Sequence, residues 1–133
     1  MTLTTDPAAT TARDLGACLF RPRSVALIGA SADPAKNNAR PQRYLTEAGF
    51  AGRILPINPG RSEVFGLPAY PDLDAAPGEI DHAFVMVPAK AVEGVIEQCV
   101  RRQVPVATIF TAGFAETGAE GAALQARIVA RAR

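Results

Sequence analysis

A glycine followed by two small residues, Gly29-Ala30-Ser31, closes the apolar run Ser24-Val-Ala-Leu-Ile28. Glycine at such a turn lets the backbone approach a phosphate, and the N–H groups together with the Ser31 hydroxyl form a donor set for a diphosphate. The G-x-G-x-x-G fingerprint is not met, because Ser31 and Pro34 occupy the later glycine positions. A tight strand-to-helix turn with no ligand satisfies the same residues. A second group, Asn58-Pro59-Gly60-Arg61, closes the run Arg53-Ile-Leu-Pro-Ile57. Nucleotide-binding turns at this place commonly carry an acid for ribose hydroxyls. Here the guanidinium of Arg61 suits a ribose-linked phosphate instead, or a solvated place beside Glu63.

Two further strand ends complete the set. Val87-Pro88 offers a rigid apolar wall for an adenine, and Lys90 just beyond it reads as an exposed lysine at a helix start. Thr111-Ala112-Gly113 brings small residues and a hydroxyl, which leave room for an extended ligand arm or make a plain surface loop. Lys36 and Arg40, in the loop after the first run, are spare cations for a diphosphate or ordinary surface charges. An adenine, a diphosphate and a ribose-linked phosphate are the parts of coenzyme A and of NADP.

No catalytic set accompanies these residues. The single histidine, His82, opens the third apolar run, away from the crevice, and is expected at the surface or an edge. Cys18 and Cys99 fall on helical segments as core or near-core thiols, without metal-ligand spacing. No Ser-His-Asp arrangement, metal cluster or carboxylate pair is present. The net charge of +1, from 14 basic and 13 acidic residues, gives no polycationic face for nucleic acid. Residues 1–12 lack the basic start and apolar stretch of a leader, and no apolar run reaches membrane-spanning length, so the expectation is a cytoplasmic protein with no membrane partner.

The elements that must position these groups follow from periodicity. Runs 24–28, 53–57, 82–87 and 105–110 are strand-length and continuously apolar, the pattern of parallel strands covered on both faces. Between them, Pro41 suits the first turn of a helix ending before Gly49, residues 89–102 carry an apolar stripe with arginines in the last turn, and residues 120–133 are alanine-rich at helical spacing. The connection from Asn58 to Ile80 is broken by Pro and Gly, leaving room for a short strand or turn near Leu67 to Tyr70 and one helical turn at 72–76. Alternating strands and helices give an α/β doubly wound parallel sheet with right-handed crossovers. Its pattern breaks off after the helix following the fourth main strand, so the sheet reads as truncated. The organisation expected is a tail and short helix over residues 1–18, the first twelve frayed, and one domain over 19–133.

The ordered combination of Leu19-Phe-Arg-Pro-Arg-Ser-Val-Ala-Leu-Ile-Gly-Ala-Ser31, Arg40-Pro-Gln-Arg-Tyr-Leu45, Ile57-Asn-Pro59, Gly66-Leu-Pro-Ala-Tyr-Pro71, Val87-Pro88 and Thr111-Ala-Gly-Phe-Ala-Glu-Thr-Gly118 resembles the N-terminal CoA-binding domain of NDP-forming acyl-CoA synthetases, relatives of the succinyl-CoA synthetase alpha subunit. The resemblance implies a Rossmann-like fold with coenzyme A, or its acyl thioester, over the strand ends. By position, Gly29, Ala30 and Ser31 match the phosphate turn, Arg61 a nucleotide-binding cation, Val87 and Pro88 the adenosine wall, and residues 111–113 the loop by the pantetheine arm. It further implies that phosphohistidine and ATP-grasp modules join acid and CoA elsewhere in a complete enzyme, and that this domain alone is inert. Asn37-Asn38-Ala39 stands where relatives often carry glycine. An NADP-binding oxidoreductase domain and a CoA-sensing regulatory domain, as in a fused acetyltransferase, are the alternative readings.

Overall fold

The computed structural model describes residues 2–4, 15–110 and 119–132. Strands β1 (Thr2–Thr4), β2 (Ser24–Ile28), β3 (Arg53–Ile57), β6 (His82–Val85) and β7 (Val106–Ile109) form one sheet in the order β1-β7-β6-β2-β3. β4 (Glu63–Val64) and β5 (Leu67–Pro68) make a separate hairpin. Helices α1 (Leu15–Phe20), α2 (Arg40–Glu47), α3 (Ala89–Arg101) and α4 (Ala119–Ala132) complete the chain, with a short 3-10 turn at Asn37–Ala39 leading into α2.

β3, β2, β6 and β7 run parallel. Beyond β3, Tyr70 adds a single parallel bridge to Ile57; its N–H donates to the Pro56 carbonyl at 3.0 Å, and the Asn58 N–H donates to the Tyr70 carbonyl at 2.9 Å. This rudimentary strand makes the parallel order Tyr70-β3-β2-β6-β7, which reverses between β2 and β6. Such a switch point is where open α/β sheets receive ligands. Pro56 has no N–H to give and is tolerated because β3 is the last full strand on its side.

Both faces of the sheet are covered, as the continuous apolar runs require. Ala26, Ile28, Leu55, Ile57, Ala83, Val85, Ala107 and Ile109 pack against Val92, Val95, Ile96 and Cys99 of α3 and Ile128 of α4. Val25 and Leu27 face the other way, with Leu45 of α2, Phe50 and Ile54. Burying each such aliphatic side chain contributes about 1.5–3 kcal/mol, so this two-sided core is what fixes the strand ends in one plane.

Three expectations change in detail. Thr2–Thr4, read as part of a frayed tail, instead pair antiparallel with β7 and cover that edge of the sheet. Runs 82–87 and 105–110 are strand only over His82–Val85 and Val106–Ile109, because the chain turns once it passes the crevice. His82 does open its strand, yet it is buried at 3% exposure rather than lying at the surface. Its Nε2 bonds the Thr108 hydroxyl at 2.7 Å and its ring meets Phe84 edge-on, which makes the site dry enough to push its pKa down. Cys18 and Cys99 are both buried thiols, as their helical placement implies.

The amino end of the sheet is tied by the buried Asp81, whose carboxylate accepts from the Arg23 N–H at 2.8 Å and Nε at 3.3 Å. Ser24 Oγ accepts from the Asp81 N–H and donates to the Glu79 carbonyl. The long connection is fastened by Arg102, whose guanidinium donates to the carbonyls of Leu73 and Gly78.

Candidate coenzyme site

The pairing register sets Ile57, Ile28, Val85 and Ile109 in one row across four strands. The residues that follow, Asn58, Gly29, Met86 and Phe110, therefore form a common rim at the carboxyl ends. Hydrogen bonds carry the ladder up to that rim: Gly29 N–H to Ile57 O at 3.0 Å, Met86 N–H to Ile28 O at 2.8 Å and Phe110 N–H to Val85 O at 2.9 Å. Three of the four strand ends named from sequence are thus neighbours. Thr111, Ala112 and Gly113, at the fourth, lie outside the described residues.

Gly29 is required where it stands. Its φ is +88°, and a Cβ there would lie 2.5 Å from the Met86 carbonyl oxygen. The turn is therefore pressed against the end of β6. In that conformation its own donors are engaged: Gly29 N–H by Ile57, Ala30 N–H by the Leu27 carbonyl at 3.3 Å, and Ser31 N–H by the Asn38 carbonyl at 3.5 Å. Ser31 Oγ accepts from the Asp33 N–H at 3.0 Å and keeps its own proton to give. Among the described residues, the backbone donors left over in this loop belong to Ala32, Asn37 and Asn38. The anion-binding capacity of the loop therefore lies a few residues later than the glycine suggests, at the entry to α2.

Two asparagines hold the turn from opposite sides. Asn38 Nδ2 donates to the Gly29 carbonyl at 2.7 Å, and Asn58 Nδ2 donates to the Ala30 carbonyl at 2.9 Å. Pinning these carbonyls with amide donors lowers the negative potential that an incoming anion meets. Pro59 and Gly60 are exposed, and the Arg61 side chain extends from the same exposed loop without an ion pair to Glu63 or to any other described residue. A guanidinium with no ion pair among the described residues is suited to a phosphate.

On the α2 side of the rim opens a groove of about 1160 Å³, lined by Lys36, Arg40, Tyr44, Phe84, Met86 and Phe110 among others. Val87 also lines it, half-buried, while Pro88 is exposed and caps the start of α3. The groove's cationic lining residues, Lys36 and Arg40, are both exposed, and most of the remaining lining is apolar. The groove was not read from sequence. Its signal is the period-two spacing of Phe84 and Met86, which puts both on the side of the sheet opposite α3. Lys90 is exposed at the start of α3, away from these walls.

Residues 23–133 match the family described as "CoA binding domain". The chain belongs to the CoA-binding domain family. This family member is 40% identical over 119 residues to the acetate–CoA ligase [ADP-forming] I subunit alpha of Pyrococcus furiosus, covering 86% of the chain and 26% of that protein. It is 38% identical over 111 residues to the acetate–CoA ligase [ADP-forming] II of Archaeoglobus fulgidus, covering 84% of the chain and 16% of the ligase. Its fold superposes with a TM-score of 0.82 and 39% identity on a solved structure titled Ca. Korarchaeum cryptofilum dinucleotide forming acetyl-coenzyme A synthetase 1 in complex with phosphate and ADP, over 90% of this chain and 25% of that one. The CoA-binding domain thus spans about a quarter or less of each of these three relatives. Among its described residues no helix is long and apolar enough to cross a membrane, and no three or more His, Cys, Asp or Glu side chains are grouped to hold a metal ion. Relatives named for CoA ligases agree with the coenzyme A reading and lend nothing to NADP.

Proposed function

We propose that this CoA-binding domain holds coenzyme A for an ADP-forming acyl-CoA ligase, in which acid, CoA and ATP give acyl-CoA, ADP and phosphate. The observation that carries the reading is the single rim: among the described residues, a guanidinium without an ion pair at Arg61 and unengaged amides at Ala32, Asn37 and Asn38 belong to the loops that leave the adjacent ends of β3 and β2, beside an apolar groove. Arg61 receives the ribose-linked 3′-phosphate. The loop amides, the Ser31 hydroxyl, Lys36 and Arg40 receive the diphosphate, and Val87 with Pro88 flanks the adenosine. The pantetheine arm runs along the groove over Met86 toward Phe110 and on to Thr111, Ala112 and Gly113. Bound CoA supplies the thiol that takes the acyl group; the domain's own residues bind and orient the coenzyme and supply no catalytic acid or base. Phosphohistidine and ATP-grasp modules in other domains or subunits carry the phosphoryl chemistry, and the reduced buried cysteines suit a cytoplasmic setting.

Isothermal titration tests this directly. CoA should bind more tightly than NADPH or NADH, and Arg61→Ala should bind dephospho-CoA almost as the native chain does while losing most of its preference for CoA. CoA binding no tighter than NADPH binding overturns the proposal. Equal losses for CoA and dephospho-CoA in Arg61→Ala remove Arg61 from its role.

A further inference from the structure

We infer that Asn58 is a positioning residue that fixes the span between Arg61 and the phosphate loop, and so sets the preference for a 3′-phosphorylated coenzyme; the inference rests on the CoA reading above. Asn58 sits in the rim, yet each of its polar groups is engaged inside the protein. Its Nδ2 donates to the Ala30 carbonyl at 2.9 Å, and its Oδ1 accepts from the Gly60 N–H at 2.8 Å. Its backbone N–H donates to the Tyr70 carbonyl at 2.9 Å, and its carbonyl accepts from the Arg61 N–H at 3.3 Å. A side chain so engaged links rather than contacts: one amide end grips the phosphate turn and the other grips the loop that carries Arg61.

The Arg61 loop depends on that link. Residues 59–63 are all exposed, and the bonds that hold their backbone to the body besides those to Asn58 are few, led by Ala69 N–H to the Ser62 carbonyl at 2.9 Å. Removing the Asn58 carboxamide frees Gly60 and, with it, the direction from which Arg61 approaches. Ordering that loop then falls to the ligand, and the entropy of fixing freed residues is charged against the 3′-phosphate contact alone. Asn38 is the matched comparison. It pins the neighbouring Gly29 carbonyl at 2.7 Å but makes no bond to residues 58–61. Loss of Asn38 disturbs only the diphosphate end, which CoA and dephospho-CoA share; loss of Asn58 disturbs that end through the Ala30 carbonyl and, through Gly60, also the end they do not share, so it alone moves the ratio.

The test is a set of titrations of the full 133-residue chain and its variants Asn58→Ala, Asn38→Ala and Arg61→Ala with CoA and with dephospho-CoA, each variant's thermal midpoint being recorded alongside. Asn58→Ala is expected to lower the ratio of CoA to dephospho-CoA affinity about tenfold, the scale of one charge-assisted hydrogen bond. Asn38→Ala is expected to weaken both ligands together and leave the ratio unchanged. In the Arg61→Ala background, Asn58→Ala should have no further effect on the ratio, because the contact it positions is gone. An unchanged ratio in Asn58→Ala, or equal shifts of the ratio in both asparagine variants, overturns the positioning role while leaving the CoA site intact. Failure of the native chain to prefer CoA over dephospho-CoA instead overturns the parent reading. Should Asn58→Ala lose its fold by circular dichroism, Asn58→Ser takes its place and must lower the ratio in the same way.

Discussion

Replacing Gly29 by alanine tests whether the phosphate turn is held by close approach to β6. Two costs combine at this position. The first is conformational: an L residue at φ +88° costs about 1–2 kcal/mol. The second is steric, because the new Cβ would lie 2.5 Å from the Met86 carbonyl oxygen, 3.0 Å from its carbon and 3.2 Å from Val87 Cγ1. Two of those neighbours are backbone held by the Met86 N–H to Ile28 O bond, so relief requires shifting the ladder itself, at a further cost of about 1–3 kcal/mol. Gly49 is the control, since its φ of +74° carries the first cost and nothing lies within 4 Å to impose the second. For a chain of 133 residues the unfolding entropy is about 0.28 kcal/mol per kelvin. Gly29→Ala should therefore lower the melting temperature by about 7–18 °C, and Gly49→Ala by about 4–7 °C. Scanning calorimetry of both variants reads the difference, and CoA titration of folded Gly29→Ala should show weakened binding. Equal shifts in the two variants would refute the claim that close packing against β6 holds the turn.

Other perturbations probe the supports of the site. Asp81→Ala leaves the Arg23 N–H without its buried acceptor and should cost about 2–3 kcal/mol in urea denaturation with an unchanged slope; a loss under 0.5 kcal/mol would show that water replaces the carboxylate. Burial holds the His82 pKa below its ordinary value, so the unfolded chain takes up its proton first as pH falls. Stability from this group is full above the unfolded pKa of about 6.5 and declines as pH drops below it, and His82→Gln, which keeps a bond to Thr108 available, should flatten that limb between about pH 7 and 5. The Cys99 thiol, pushed up to about 12 by burial, should resist thiol reagents at pH 8 until urea unfolds the chain; rapid labelling in the native state would contradict the packing of α3 on the sheet.

Strands β2 and β3 are legible to the residue because their apolar runs stop where the chain turns. The same rule overruns β6 and β7, where Met86, Val87 and Phe110 remain apolar past the last paired strand residues and wall a groove. Hydrophobicity alone does not separate a buried strand residue from a groove residue. β1 lay beyond reach for the opposite reason. Three residues of Thr-Leu-Thr among alanines and threonines carry little apolar pattern, and their pairing depends on the open edge of β7, a long-range fact. His82 is buried, not at the surface, because position at the amino end of a strand says nothing about what α1 and Phe84 bring over it.

The site itself shows where sequence reading stops. Glycine at the end of β2 locates the turn, since only a residue without Cβ meets the Met86 carbonyl there, but it does not say which amides remain free once the turn has formed. That depends on which carbonyls come within reach: Ile57, Leu27 and Asn38 take the N–H groups of residues 29–31, so the donors move to Ala32, Asn37 and Asn38. The same reach engages the Asn58 carboxamide, which bonds the Ala30 carbonyl and the Gly60 N–H. Composition names the residues that can bind an anion, and the hydrogen bonds they make with one another decide which are left to do so. A single phosphate-loop substitution should accordingly be judged by the internal bond it breaks before any contact it removes. Asn38 illustrates the point, since its carboxamide touches Gly29 while its own N–H stays open at the entry to α2.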